Sequence, residues 1–212
     1  MSIKSITVFC GASLPSKAQE FITQTKILGQ LLAKKDIRLV YGGSSVGLMG
    51  IVATSCIENG GEATGIIFKD LTSYEKEHAL LTDYHIVDSL SERKILLNDL
   101  GDAYAILPGG VGTLDEFFEI LVALQLGQHH KPIAILNSEH YYDGLIESLQ
   151  HMVDHGFIEQ DLLDIIIIED NAHDLIEKLS KAKELHIDFL ALKAKQRDDT
   201  ANKIHQLKKH GT

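Results

Sequence analysis

The chain is poor in cysteine, poor in positive charge and free of long apolar runs. Each shortage removes a class of protein. Two cysteines in 212 residues, Cys10 and Cys56, are too few for a disulfide framework and suit a reducing cytoplasm. No uncharged apolar stretch approaches the roughly 20 residues that span a bilayer, so no membrane partner is expected. The opening "MSIKSITVFCGAS" lacks a long apolar stretch ahead of a small-residue cleavage site, so no signal peptide is expected. Twenty Lys and Arg against thirty Asp and Glu leave a formal net charge of −10, which argues against a nucleic-acid partner. The balance is uneven: from Lys181 to Thr212 eight Lys/Arg face four Asp/Glu, so this basic tail opposes an acidic remainder. A solvated helix is the simpler reading of the tail, and a binding arm the other.

What is present reads as one domain. A hydrophobic content of 44% beside 24% charged residues is that of a soluble globular protein long enough to bury a substantial core. Short β-branched or apolar runs alternate with stretches of helical period. Strands are expected at 6–10, 37–41, 63–68, 85–87, 103–107, 133–136 and 165–168. Helices are expected at 17–34, 48–59, 91–100, 114–126, 143–155 and 172–185. Such alternation predicts an α/β fold, a Rossmann-like doubly wound parallel sheet with helices on both faces. The run "IIII" at 165–168 suits a strand buried on both faces. The domain is expected over 1–185, with 186–212 a helical or partly disordered tail.

In an open parallel sheet, ligands bind past the carboxyl ends of the strands where strand order reverses. Three loops after predicted strands stand out: "CGAS" (10–13), "YGGSSVGLMG" (41–50) and "PGGVGTLDE" (108–116). Glycine lets bare N–H groups approach an anion, and a helix N-terminus adds partial positive charge. Each loop alone reads more simply as a tight strand-to-helix turn; two glycine-rich loops together favour a phosphate cradle. The P-loop pattern G-x-x-x-x-G-K-S/T is absent. The dinucleotide fingerprint fails because Asp115 stands at its third glycine. A mononucleotide or sugar phosphate remains.

If the helix starts near Thr113, Asp115 and Glu116 fall in its first turn, where the macrodipole favours their ionised forms; ordinary capping is the alternative. "SERK" (91–94) opens another helix and offers Arg93 and Lys94, Arg being suited to bidentate contact with phosphate or carboxylate. "GSSVG" (43–47) formally satisfies the nucleophile elbow G-x-S-x-G, with Ser45 as nucleophile of a serine hydrolase, but no oxyanion loop precedes it. His151 and His155 lack the glutamate of the zinc-protease motif and read as a helix-surface pair. His129 and His130 read as solvated loop side chains, and Cys10 as a small buried residue that could border the site.

"PGGVGTLDE" resembles the P-G-G-x-G-T-x-x-E signature of the LOG (Lonely Guy) family, phosphoribohydrolases of nucleoside monophosphates often labelled lysine decarboxylases. "VFCGAS", "YGGSSVGLMG", "ERK", "AILPGGVGTLDEFFEI", "QLGQHHKPIAILN", "YYDGLI" and "GFI" resemble the family in its order, over roughly residues 3–179. The resemblance implies a Rossmann-like homodimer with sites near the interface. It also implies hydrolysis of AMP or N6-substituted AMP to free base and ribose 5-phosphate, with no metal or organic cofactor. By motif position the catalytic pair is Arg93 and Glu116. Lys94, Gly109, Gly110, Val111, Gly112, Thr113, Leu114 and Asp115 fall in the substrate-binding segment, and the second glycine loop adds Gly43, Ser44 and Ser45. The chain departs from the pattern at "GGSS", where many members have three glycines. It also lacks the Met-His before "ERK", and has Val122 and Ala123 where plant members have Thr-Trp, near the expected base pocket. A non-catalytic nucleotide or molybdenum-cofactor binding protein of the same fold is the alternative. A decarboxylase would need a Schiff-base lysine, for which only Lys94 offers itself.

Overall fold

Seven short strands line up in parallel, and the order in which the chain visits them decides where a ligand can sit. The computed structural model describes residues 3–14, 19–70, 80–183 and 185. The strands are β1 (Ser5–Phe9), β2 (Arg38–Tyr41), β3 (Ala63–Phe68), β4 (Asp83–Val87), β5 (Ala103–Ile106), β6 (Ile133–Leu136) and β7 (Ile167–Glu169). The helices are α1 (Gln19–Lys34), α2 (Gly47–Glu58), α3 (Leu90–Leu100), α4 (Val111–Gln125), α5 (Asp143–Asp154), α6 (Gln160–Asp164) and α7 (Ala172–Lys181), with a 3-10 turn at Ser138–His140. The sheet order is β4-β3-β2-β1-β5-β6-β7, and every neighbouring pair is parallel. The chain starts at the centre, winds out to β4, and returns to place β5 beside β1. Strand order therefore reverses between β1 and β5.

Both faces of the sheet are covered, as expected for an all-parallel sheet. Ile6, Val8, Ala103, Ala105, Ala134 and Leu136 pack with Leu28, Leu32, Val52, Cys56, Leu175 and Leu179 of α1, α2 and α7. The alternate residues Phe9, Tyr104, Ile106, Ile133 and Ile135 meet Leu97, Phe117, Ile120, Leu121, Leu124, Leu149 and Leu162 of α3, α4, α5 and α6. Period-two alternation with both sets apolar is why these strands read as continuous hydrophobic runs. Among the described residues no helix is long and apolar enough to cross a membrane.

Three expectations are corrected, and one helix was not foreseen. Helix α4 starts three residues earlier than its apolar period suggests, because "PGGVG" lets the helix begin on glycine-rich backbone. The run 165–168 is not a doubly buried strand. Ile165 caps α6 in a helical conformation, and β7 begins at Ile167 as a half-buried edge strand. Helix α6 had no apolar period of its own to announce it. The last helix ends at Lys181 rather than 185. The basic tail 186–212 and the first two positions of the helix expected from 17 lie outside the described residues.

Candidate active site

The carboxyl ends of β1, β2 and β5 carry "CGAS", "YGG" and "PGG", so the three loops converge where strand order reverses. Gly11 N–H donates to Pro108 O at 3.1 Å, and Leu48 N–H donates to Gly11 O at 2.9 Å, tying the loops after β1 and β5 to the start of α2. A cleft of about 490 Å³ opens beside them, lined by Cys10–Ser13, Phe21, Leu48, Met49, Leu90, Arg93, Lys94, Pro108–Gly110, Gly112, Thr113, Asp115, Glu116 and Tyr141.

Helix α3 delivers the cations. Ser89 caps it, its Oγ accepting from Glu92 N–H at 3.0 Å, and the Glu92 carboxylate accepts from Asp88 N–H at 3.1 Å. One residue on, Arg93 points inward. Its Nη1 donates to Glu116 Oε1 at 3.0 Å, its Nε to Ile66 O at 3.0 Å and its Nη2 to Gly42 O at 3.5 Å. The Arg93 and Glu116 side chains are only 12% and 13% exposed. Gly42 is glycine for Arg93: a Cβ there would stand 2.3 Å from Nη2. Lys94 is paired twice, with Asp115 Oδ2 at 2.7 Å and Glu119 Oε2 at 2.6 Å, and both partners hold its pKa above the ordinary lysine value.

Helix α4 delivers the carboxylate and the amides. Its N-cap, Gly110, has no side chain to satisfy the first N–H groups, whereas Ser89 and Asn171 cap α3 and α7. The first turn carries no acidic residue: the helix starts at Val111, so Asp115 and Glu116 sit two residues deeper than a start near Thr113 would put them. The dipole therefore does little for them. Burial instead pushes Glu116 up from the usual 4.5 to about 6, opposed by the Arg93 charge and hydrogen bond. Among the described residues, and apart from its own stretch of backbone, a Cβ on Gly110 or Gly112 would meet nothing within 4 Å, and neither has a positive φ. Packing against the described residues gives neither a reason to be glycine. Gly109 differs, since its Cβ would strike Thr113 Oγ1 at 2.1 Å.

The sequence candidates therefore divide. Arg93, Lys94, Gly109, Gly110, Gly112, Thr113, Asp115 and Glu116 line one cleft. Gly43, Ser44, Ser45, Val111 and Leu114 are not part of that lining. Ser44 is fully buried, and Val111 is 85% exposed. The second glycine loop is glycine for packing: Gly43 and Gly47 have φ of 78° and 63°, and a Cβ on Gly47 would stand 2.2 Å from Ala12. Cys10 is both buried and cleft-lining; burial and the Glu116 charge push its thiol well up. Tyr141, Phe21 and Met49 also line the cleft without having been singled out. Tyr141 and Met49 lay within quoted segments, "YYDGLI" and "YGGSSVGLMG", and Phe21 in none.

His129, His130, His151 and His155 are not part of the cleft lining. His151 and His155 pack ring to ring on the exposed side of α5, 4.1 Å apart. His129 is not solvated: it is 7% exposed, with Nε2 on Ile120 O at 2.8 Å and Nδ1 accepting from Lys131 N–H at 3.1 Å. Among the described residues no group of three His, Cys, Asp or Glu is placed to hold a metal ion. A second cleft, of about 500 Å³, shares Lys94, Asp115 and Glu116 with the first and adds Ile95, Phe118, Val122 and Ala123.

Residues 49–179 match the family model described as possible lysine decarboxylase. The cytokinin riboside 5'-monophosphate phosphoribohydrolase of Rhodococcoides fascians is 43% identical over 156 residues, 73% of this chain and 78% of that one. The enzyme of that name LOG3 from Arabidopsis thaliana is 36% identical over 183 residues, 86% of this chain and 85% of that one. Among solved structures, the structural-genomics target TM1055 superposes with a TM-score of 0.66 at 22% identity, covering 84% of this chain and 99% of that one. The molybdenum cofactor binding protein of Rippkaea orientalis gives 0.60 at 18% identity, covering 82% and 91%. Both structural likenesses are of fold.

Proposed function

The chain belongs to the LOG family of cytokinin riboside 5'-monophosphate phosphoribohydrolases, and from that premise we propose that it hydrolyses the N-glycosidic bond of AMP or N6-substituted AMP. The products are the free base and ribose 5-phosphate. The observation that carries this reading is the buried Arg93–Glu116 pair facing the same cleft as the uncapped glycine start of α4.

Departure of the base builds positive charge on the ribose, in an oxocarbenium-like transition state. An ionised Glu116 stabilises that charge and orients the attacking water, and a carboxyl poised near 6 also suits it to accept the water's proton. Water supplies the hydroxyl to C1′ and, in balance, the proton that ends on the departing base. The N–H groups of Gly110, Val111, Gly112 and Thr113 receive the 5′-phosphate. Arg93 holds Glu116 and offsets repulsion between carboxylate and phosphate. The reaction as written uses no metal or organic cofactor.

A decarboxylase reading founders on Lys94. Two carboxylates pair with this lysine and hold it protonated, so it is a poor amine for a Schiff base. The exposed apolar side chains of Ile95 and Val122, at the second cleft, support a homodimer with a second copy covering that face. The two buried free thiols fit a cytoplasmic setting.

The reading is tested with a panel of nucleoside 5′-monophosphates, unphosphorylated nucleosides and NAD, quantifying released base by chromatography. Base release from AMP or its N6-substituted forms, and not from adenosine, is expected. Equal turnover of adenosine would remove the phosphate cradle from the account.

A further inference from the structure

Four consecutive carbonyls lead into α4, and each is held. Tyr142 Oη donates to Leu107 O at 2.6 Å, Gly11 N–H to Pro108 O at 3.1 Å, Tyr141 Oη to Gly109 O at 2.7 Å, and Leu114 N–H to Gly110 O at 3.1 Å. In a trans peptide the C=O and the next N–H point in opposite directions, and no described peptide bond is cis. Anchoring the carbonyls of Pro108, Gly109 and Gly110 therefore aims the N–H groups of Gly109, Gly110 and Val111. A Gly-Gly step left alone would sample many orientations.

The two tyrosines come from one strained turn. Glu139 and His140 both have positive φ, 52° and 59°, in succession. Non-glycine residues resist that conformation, and it persists where surroundings over-determine it, often at functional sites. Asn137 is part of those surroundings. Its Oδ1 accepts from Tyr142 N–H at 2.7 Å and its Nδ2 donates to Asp143 Oδ1 at 2.8 Å. Tyr142 is 3% exposed, and Tyr141 stands at the cleft rim, edge-on to Phe21 with ring centroids 5.4 Å apart.

We propose that Tyr141 is a positioning residue that presets the Gly110 amide of the glycine loop for a phosphate monoester by holding the carbonyl of Gly109; Tyr142, whose acceptor Leu107 O precedes a proline without an N–H, anchors the turn that carries Tyr141. The inference rests on the phosphoribohydrolase reading and adds to it how the cradle is ordered before substrate arrives. The ligand class it concerns is any sugar or nucleoside 5′-phosphate, since the amides meet the phosphate and not the base.

Tyr141→Phe keeps the ring and its contact with Phe21 and removes one donor. Tyr142→Phe leaves a buried carbonyl short of a partner and also lowers stability, so the first variant carries the test. KM and kcat for AMP, the Kd of ribose 5-phosphate by calorimetry and Tm are measured on the full chain. Tyr141→Phe is expected to raise both KM and that Kd about five- to tenfold, the equivalent of one hydrogen bond, with the larger effect on KM rather than kcat. Wild-type KM and Kd in Tyr141→Phe would overturn the proposal. So would a fall in Tm and kcat with both affinities intact, the signature of a merely structural role. A wild-type chain that releases no base from AMP would overturn the phosphoribohydrolase reading instead, and the ribose 5-phosphate affinities would still decide the role of Tyr141.

Discussion

Arg93 Nη1 stands 3.0 Å from Glu116 Oε1, across 23 residues of sequence, with both side chains almost out of water. A carboxylate so buried would protonate readily without that guanidinium, and the guanidinium is itself fixed by the carbonyls of Ile66 and Gly42. The charge on Glu116 is thus a balance between burial, which raises its pKa, and Arg93, which lowers it.

That balance sets a pH dependence of stability. The folded pKa of Glu116, about 6, lies above its ordinary 4.5, so folding favours the protonated form. The contribution is fully present below 4.5 and is lost as pH rises through 6. Relative to Glu116→Gln, which does not titrate, the wild type should lose about 2 kcal/mol of unfolding free energy between pH 4.5 and neutrality. Urea denaturation of both proteins across that range checks it; parallel curves would contradict it.

Removing Arg93 should move Glu116 further up, because its charge and hydrogen bond both favour the carboxylate. A phosphate monoester titrates near 6 as well, so the carboxyl is best followed by NMR in the ligand-free protein. Arg93→Met should titrate Glu116 clearly above the wild type, and an unchanged midpoint would show that the pair is not coupled.

Gly42→Ala tests the brace without touching either partner. The new methyl would stand 2.3 Å from Arg93 Nη2 and 2.8 Å from Met49 Sδ, both on flexible side chains, so the protein folds and the guanidinium shifts. Misplacement on the scale of an ångström should cost about a hundredfold in kcat. Wild-type turnover in a folded Gly42→Ala protein would show that Arg93 need not stand where it does.

Gly112→Ala makes the opposite test. Among the described residues its methyl meets nothing outside its own helix backbone, and alanine suits a helix better than glycine, so Tm should hold or rise. Affinity for AMP should nonetheless fall about tenfold or more, the worth of one charge-assisted hydrogen bond. Unimpaired affinity would place the phosphate elsewhere.

The sheet was legible because its strands are buried on both faces, leaving near-continuous apolar runs. Ala63–Phe68 and Ile133–Leu136 fall where composition alone puts them. Composition says nothing of edges. "IIII" reads as core, yet Ile165 ends a helix whose short length gives no period, and Ile167 lies on an edge strand. At the site, glycine marks both cradles and corners. Gly110 and Gly112 are open backbone while Gly43 and Gly47 are tight turns, a difference set by neighbours distant in sequence. The start of α4 was misplaced for a related reason: its apolar face begins at Leu114, one turn after its backbone does. The hydroxyls of Tyr141 and Tyr142 reach carbonyls 32 and 35 residues away, a relation no local pattern encodes.

The most direct test is a crystal structure of the Glu116→Gln protein with AMP bound. The account predicts the phosphate on the N–H groups of Gly110 to Thr113 and the ribose C1′ within about 4 Å of the side chain at position 116, ordinary contact distance. A pentose lodged away from that side chain, or a phosphate held elsewhere, would contradict it.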